Sequence, residues 1–314
     1  MFQKNYAYTQ LAWVPPVWAG MNALFGRAVL IAIIAAPAFA PAAAQDVPMI
    51  DTEDATLGSA DIRSVGRLHP QVALDLRNGD FARGTYDDDR ADLGRLPIHA
   101  QIGVAIALNG NAADPADSWL VLRSSNGFHA PDAGETTAPR SWYESNTLAA
   151  LVLTPSRGLR TAAVYTIKTS PNGVSAATHE ASLSIAYAGD DGIGTLSPTF
   201  AATIRPKGGH GLFTQLGFEP GFDLSQRDDA TRFSVPIVAG IGWHGFYGAG
   251  SRNRTYASAG AALEHPFTVG ATRWSARAEA LAVIRDARLA ALSGPDGETA
   301  RVVPLVTISV AVAY

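Results

Sequence analysis

The sequence predicts an all-β fold, a transmembrane antiparallel up-and-down β-barrel of about twelve strands, and three observations point to it. Apolar and polar residues alternate with period two in stretch after stretch from about residue 69 to the last residue. A secretory leader, Met21–Ala44, precedes them. The chain then closes on Leu305–Tyr314, where Val306, Ile308, Val310, Val312 and Tyr314 form one face and Thr307, Ser309, Ala311 and Ala313 the other.

Composition narrows the alternatives. Of the 314 residues, 47% are hydrophobic and 17% charged, too apolar for a disordered chain. No run of about 20 apolar residues follows the leader, so a membrane-spanning chain would have to cross with strands. The leader has Arg27 ahead of an apolar core, Ala28–Ala40, and small residues up to Ala44. Processing is expected after Ala42-Ala43-Ala44, leaving Gln45 first. Met1–Gly20 lacks the order of a leader, so the start codon is either Met1 or Met21. Lys4 and Arg27 are the only charges up to Ala44, so the mature chain carries 22 basic against 28 acidic residues. That balance gives no reason to expect nucleic acid as a partner. With no cysteine, disulfides, thiol chemistry and an acylated-Cys anchor are excluded.

Three regions follow: a leader over 1–44, with the signal proper at 21–44; a polar, acidic segment, 45–68, expected to be a flexible periplasmic extension; and the barrel, 69–314. In the first strand Val72, Leu74 and Leu76 alternate with Ala73, Asp75 and Arg77. In the second, Ile98, Ala100, Ile102, Val104, Ile106 and Leu108 oppose His99, Gln101, Gly103, Ala105, Ala107 and Asn109. Ten more stretches lie near 117–123, 142–154, 159–168, 177–188, 195–205, 211–218, 232–244, 255–264, 272–284 and 305–314. Turn chemistry separates them, as in Pro155-Ser156-Arg157-Gly158 and Gly189-Asp190-Asp191-Gly192. Ten or fourteen strands also satisfy the even-number rule. Long connections at about 77–96, 124–141 and 285–301 fit one end of such a barrel and short ones the other, with 219–231 longer than the scheme expects. Ser275–Ala291 is rich in helix formers, yet Arg277 and Glu279 alternate with Ala276, Ala278 and Ala280, which favours a strand in its first half.

Aromatic residues, among them Trp142, Tyr143, Tyr187, Phe233, Trp243, Phe246, Tyr247, Tyr256, Phe267 and Trp274, gather near the expected strand ends, as membrane-interface girdles require. The closing strand resembles the C-terminal strand of bacterial outer-membrane proteins, which ends in Phe or Tyr. That resemblance implies delivery to the barrel-assembly machinery and residence in outer-membrane lipid. More widely, Phe233–Trp243, Tyr247, Tyr256-Ala257-Ser258-Ala259-Gly260, the Trp274 strand and the closing strand look like those of uncharacterised proteobacterial outer-membrane barrels classed as porins. The Asp87-Asp88-Asp89 run departs from their first hairpin.

Motifs for chemistry are sparse. Gly240-Ile241-Gly242-Trp243-His244-Gly245 has dinucleotide-loop spacing, but turn residues rather than a helix follow it, so no cofactor is expected. There is no GxSxG or HExxH, and His179 and Ser182 fall on opposite faces of one strand. The three aspartates at 87–89 suit a solvated loop better than a cation site. No catalytic, cofactor or metal residues are therefore assigned, and the chain is expected not to be an enzyme, with outer-membrane lipid-modifying enzymes as the rival. Arg77, Arg160, Lys168, Arg205 and Arg232 take positions expected to face the lumen. The expected function is a passive pore or small-solute channel, its solute unspecified, and the alternative a non-conducting structural or surface-interaction barrel.

Overall fold

Twelve strands with antiparallel neighbours need no crossover, and the chain takes that path. The computed structural model describes residues 44–313 apart from 59–61, 111–116, 133–134, 190–191, 228, 249, 271 and 293–298. Residues 1–43 of the expected leader and Tyr314 lie outside the described residues. The barrel strands are β1 (Leu68–Arg77), β2 (Ile98–Ala107), β3 (Ser118–Phe128), β4 (Trp142–Ser156), β5 (Leu159–Thr169) and β6 (Thr178–Tyr187). They continue as β7 (Thr199–Lys207), β8 (Leu212–Phe218), β9 (Ile237–Trp243), β10 (Arg254–Val269), β11 (Thr272–Arg285) and β12 (Val302–Ala313). Each pairs antiparallel with its sequence neighbours, and β12 closes the wall on β1 from Thr307 opposite Arg77 to Ala313 opposite Gln71. A closed barrel leaves no sheet edge unpaired.

The wall is two-faced all the way round. Every strand turns at least one large apolar side chain outward, among them Leu74, Ile102, Leu122, Leu151, Ile167 and Leu183 on β1–β6. Ile204, Leu216, Ile237, Leu263, Ile284 and Ile308 complete the ring on β7–β12. A belt of that extent is far larger than a water-facing surface tolerates and is what a lipid-facing barrel presents. No helix among the described residues is long and apolar enough to cross a membrane.

Connections follow local turn chemistry. β4 and β5 are joined by Arg157-Gly158, where Gly158 has φ +77° and a Cβ would sit 2.1 Å from the Ala188 carbonyl oxygen. Two departures from the expected strands have clear causes. The stretch 232–244 is divided at Val235-Pro236, where the missing amide donor breaks the ladder. Arg232–Ser234 then pairs with Gly221–Asp223 and continues the wall beside β10, which accounts for the long connection there. In the helix-or-strand segment, β11 runs to Arg285, and Asp286 then caps a single helical turn, α1 (Ala287–Ala290), by accepting from the Arg288 and Leu289 amides.

The lumen is filled from both ends. The segment expected to extend flexibly instead folds back inside. Ala44–Val47 pairs with Ile62–Val65, and 49–58 forms a tight hairpin with Ile50 bridged to Leu57. Val47, Ile50, Ala55 and Leu57 are buried against Trp119, Val121, Leu148 and Val152 on the inner wall. Leu57 donates its amide to Ser184 Oγ (3.0 Å), and Arg123 donates to the Ile50 carbonyl (3.1 Å). Burying Val, Ile and Leu contributes about 1.5–3 kcal/mol each toward ordering the segment.

From the β1–β2 connection a second hairpin, Gly79–Ala82 with Thr85–Asp92, packs its tip into the barrel. A Cβ on Gly84 at that tip would meet Tyr256 at 2.7 Å. Phe213, Phe246, Tyr256, Val283 and Leu289 form an apolar core around it, with Phe81 and Tyr86 packed on. Several aromatics expected in the girdles are thus internal: Tyr143, Phe246 and Tyr256 are all buried. Other pairs, such as Phe267 stacked on Trp274 (6.2 Å) and Phe128 on Trp142 (6.1 Å), stay partly exposed toward strand ends.

Candidate functional site

Inside the wall, charge is concentrated where the two inserted hairpins meet the strands. Glu53 comes from the N-terminal hairpin, Asp80 from the second, His99 from β2 and Glu144 from β4. Each is buried, and one ligand atom from each lies within 4.8 Å of those from the other three. His99 Nδ1 is 3.7 Å from both Glu53 Oε1 and Glu144 Oε2, and His99 Nε2 is 3.6 Å from Asp80 Oδ1.

Local structure explains how β4 supplies this corner. Trp142 pairs with Phe128 and Glu144 with Gly127, so Tyr143 is an extra residue in a β-bulge. The bulge turns both Tyr143 and Glu144 to the interior, which strict alternation forbids. Gly127 sits opposite both His99 and Glu144, and its missing side chain lets the Tyr143 ring cross β3. A Cβ there would lie 2.6 Å from that ring. The Tyr143 hydroxyl reaches His99 Nε2 at 2.6 Å.

Arg77 links the cluster to its surroundings. It hydrogen-bonds Glu53 and Asp75 (3.0 Å to the latter) and lies 3.9 Å from Asp80. Burial pushes the Glu53 carboxyl up to about 8 against the pull of Arg77. Burial also raises Asp80 well above the usual carboxylate range, with the charges of Glu144 and Glu53 adding to it. A second knot lies nearby, where Arg83 meets Glu180 at 2.7 Å and Asp54 at 3.6 Å, and Arg205 meets Glu180 at 3.0 Å. Arg83 and Arg205 also lie over the Phe246 ring, at 5.5 and 4.0 Å.

Of the five basic residues expected to face the lumen, Arg77, Lys168 and Arg205 are inside and paired with acids, Lys168 with Asp87 at 3.8 Å. Arg160 is half-buried at the start of β5. Arg232 lies at the rim, its side chain 44% exposed and 3.9 Å from Asp223, beyond the enclosed lumen. In the closing strand Val306 and Ile308 are exposed outside, Val310 is half-buried and Val312 buried, while Thr307 and Ser309 line the interior. They border a chamber of about 470 Å³, lined also by Gln215, Arg277, Glu279, Glu53 and Arg77. Arg277 there bonds Glu219 (2.8 Å) and Glu279 (2.6 Å). Alternation identifies inward positions, but Glu53 and Asp80 sit on inserted segments outside any alternating strand, and nothing in the spacing ties them to His99. A glycine inside a strand, Gly127, is the one local sign of a close approach there.

No protein-family profile and no curated protein matches the chain. Among solved structures it is similar to LpxR from Salmonella typhimurium, at 9% identity and a TM-score of 0.42, over 77% of this chain and 99% of that one. A form of BamA from Haemophilus ducreyi lacking POTRA domains 1–3 matches at 9% identity and a TM-score of 0.30, over 87% and 75%. OprB from Pseudomonas putida, in its low-pH structure, matches at 5% and 0.25, over 79% and 92%. All three are outer-membrane β-barrels, and the likeness is one of fold. One expectation is corrected by them. LpxR is a lipid-modifying enzyme, so the expectation that this chain is not an enzyme does not stand.

Proposed function

We propose that the chain is an outer-membrane barrel whose lumen is held shut by its own N-terminal segment, a closed channel that conducts only when that segment moves. The observation that carries this reading is the placement of Val47, Ile50, Ala55 and Leu57 inside the barrel, each at most 1% exposed. Glu53 on Arg77 and Asp54 beside Arg83 tie the same segment to the β1–β2 region by charge. A passive pore needs continuous water, whereas packed apolar side chains exclude it. Arg77, Lys168 and Arg205, the basic groups placed inside the lumen, have acidic partners, so a selectivity based on free positive charge finds no support in them. Outer-membrane residence is supported by the closed wall and its apolar belt, since only closed barrels and helices satisfy their backbone in lipid.

Planar-bilayer recording tests the reading. Purified full-length protein should be silent at moderate voltage. A variant with residues 49–58 replaced by a Gly/Ser linker of equal length should give discrete conductance steps. Steady conductance by the native protein, or silence of the linker variant, would overturn it.

A further inference from the structure

The structure assigns a divalent transition-metal site to Glu53, Asp80, His99 and Glu144, joining the N-terminal hairpin and the second inserted hairpin to β2 and β4 of the wall. Zn²⁺ and Mn²⁺ are the ions whose chemistry this donor set suits, an imidazole nitrogen with three carboxylates.

Geometry and unmet valence both support it. All four side chains are nine-tenths or more buried, and their ligand atoms converge within 4.8 Å. Among the described residues, both oxygens of Asp80, Nδ1 of His99 and Oε2 of Glu144 have no hydrogen-bond partner. His99 Nδ1 and Glu144 Oε2 lie 3.7 Å apart, and Asp80 Oδ1 lies 3.6 Å from the other ring nitrogen, Nε2. Unsatisfied buried polar atoms each cost on the order of 1–3 kcal/mol, more when charged, so so many at one point call for a ligand. Charge points the same way. Three carboxylates converge on one spot, and Arg77, the guanidinium that reaches Glu53 and Asp80, is shared with Asp75. A dication offsets that excess.

The surrounding shell is also arranged as a metal site requires. In the tautomer that carries its proton on Nε2, His99 donates to the Tyr143 hydroxyl and turns the lone pair of Nδ1 toward Glu53 and Glu144. Asn146 donates to the other oxygen of Glu144, and Arg77 to Glu53, so both carboxylates are held in place. The site stands on its own geometry. Its consequence, that metal pins the N-terminal hairpin in the lumen, rests on the closed-channel reading.

The test is titration calorimetry on folded full-length protein in detergent, stripped with chelator and then titrated with Zn²⁺, Mn²⁺, Ca²⁺ and Mg²⁺. One equivalent of Zn²⁺ or Mn²⁺ should bind, more tightly than Ca²⁺ or Mg²⁺. Tyr143→Phe, which touches only the shell, should weaken binding by about 10–100-fold, and His99→Ala and the isosteric Asp80→Asn by more. Far-UV circular dichroism and heat-modifiable gel mobility confirm that each variant is folded, and Asp80→Asn answers the question should His99→Ala misfold. Absence of saturable binding, binding unchanged in folded Asp80→Asn, or equal preference for Ca²⁺ would each overturn the assignment. The titration needs no conductance, so a metal-binding protein whose linker variant stays silent fails the closed-channel reading alone.

Discussion

Replacing Arg83 with Met should destabilise the barrel by about 3–5 kcal/mol, the loss expected when one partner of a buried ion pair is removed. Arg83 sits at the tip of the second inserted hairpin with its side chain 3% exposed, 2.7 Å from a Glu180 that is wholly buried. At that separation an effective dielectric of 20 gives a gross attraction of about 6 kcal/mol, before desolvation of both ions is subtracted. Two features bear on the net value. Arg205 still reaches Glu180 at 3.0 Å, so the carboxylate keeps one partner and the loss stays toward 3 kcal/mol. Met retains contact with the Phe213 and Phe246 rings but forfeits the cation's attraction to them, about 1–2 kcal/mol when desolvated. Reversible urea unfolding into lipid vesicles measures the difference, and the Arg83→Met, Glu180→Gln double-mutant cycle isolates the pair. Stability within about 1 kcal/mol of the native protein, with coupling near zero, would refute the claim that the hairpin tip is anchored by this pair.

Three further outcomes follow from particular contacts. Trp119→Ala, which removes the largest side chain packed around the N-terminal hairpin, should cost about 3–5 kcal/mol in the same unfolding assay and speed proteolysis between residues 44 and 58. Gly158→Ala should cost more than about 1 kcal/mol, because the new Cβ meets a backbone oxygen at a residue with φ +77°, and slower refolding kinetics should accompany it. Asp286→Ala should cost about 1 kcal/mol by removing the cap of α1. Partial burial works against the charged form of Asp286, but the amides of Thr255, Leu289 and Arg288 outweigh it and hold the carboxyl below its usual range. The folded value is therefore the lower one. The cap's contribution is present above the ordinary aspartate range and is lost as pH falls through the folded value, so native and variant unfolding curves should converge in acid.

Much of the wall was legible because period two is a direct consequence of a strand's geometry. Leu74 and Leu76 alternate with Ala73 and Asp75 whatever lies around them, and turn residues such as Gly158 mark where a strand must end. The same logic failed where the chain left the wall. Position along their strands puts Tyr143 and Tyr256 among interface aromatics, whereas a bulge turns the first inward and the second meets the hairpin tip at Gly84. Val47, Ile50 and Leu57 are too sparse among polar neighbours to show a period, so their burial has no local signature.

The sequence by itself determined the barrel: twelve alternating stretches, the turns between them and the outward apolar face, all set by interactions within a strand or between adjacent ones. Only the tertiary structure decided what the barrel contains. Glu53, Asp80, His99 and Glu144 lie 27, 19 and 45 residues apart and meet because two hairpins fold into the lumen and a bulge redirects β4. Such a meeting depends on contacts between segments that share no pattern, and a linear sequence carries periodicity far more plainly than it carries proximity.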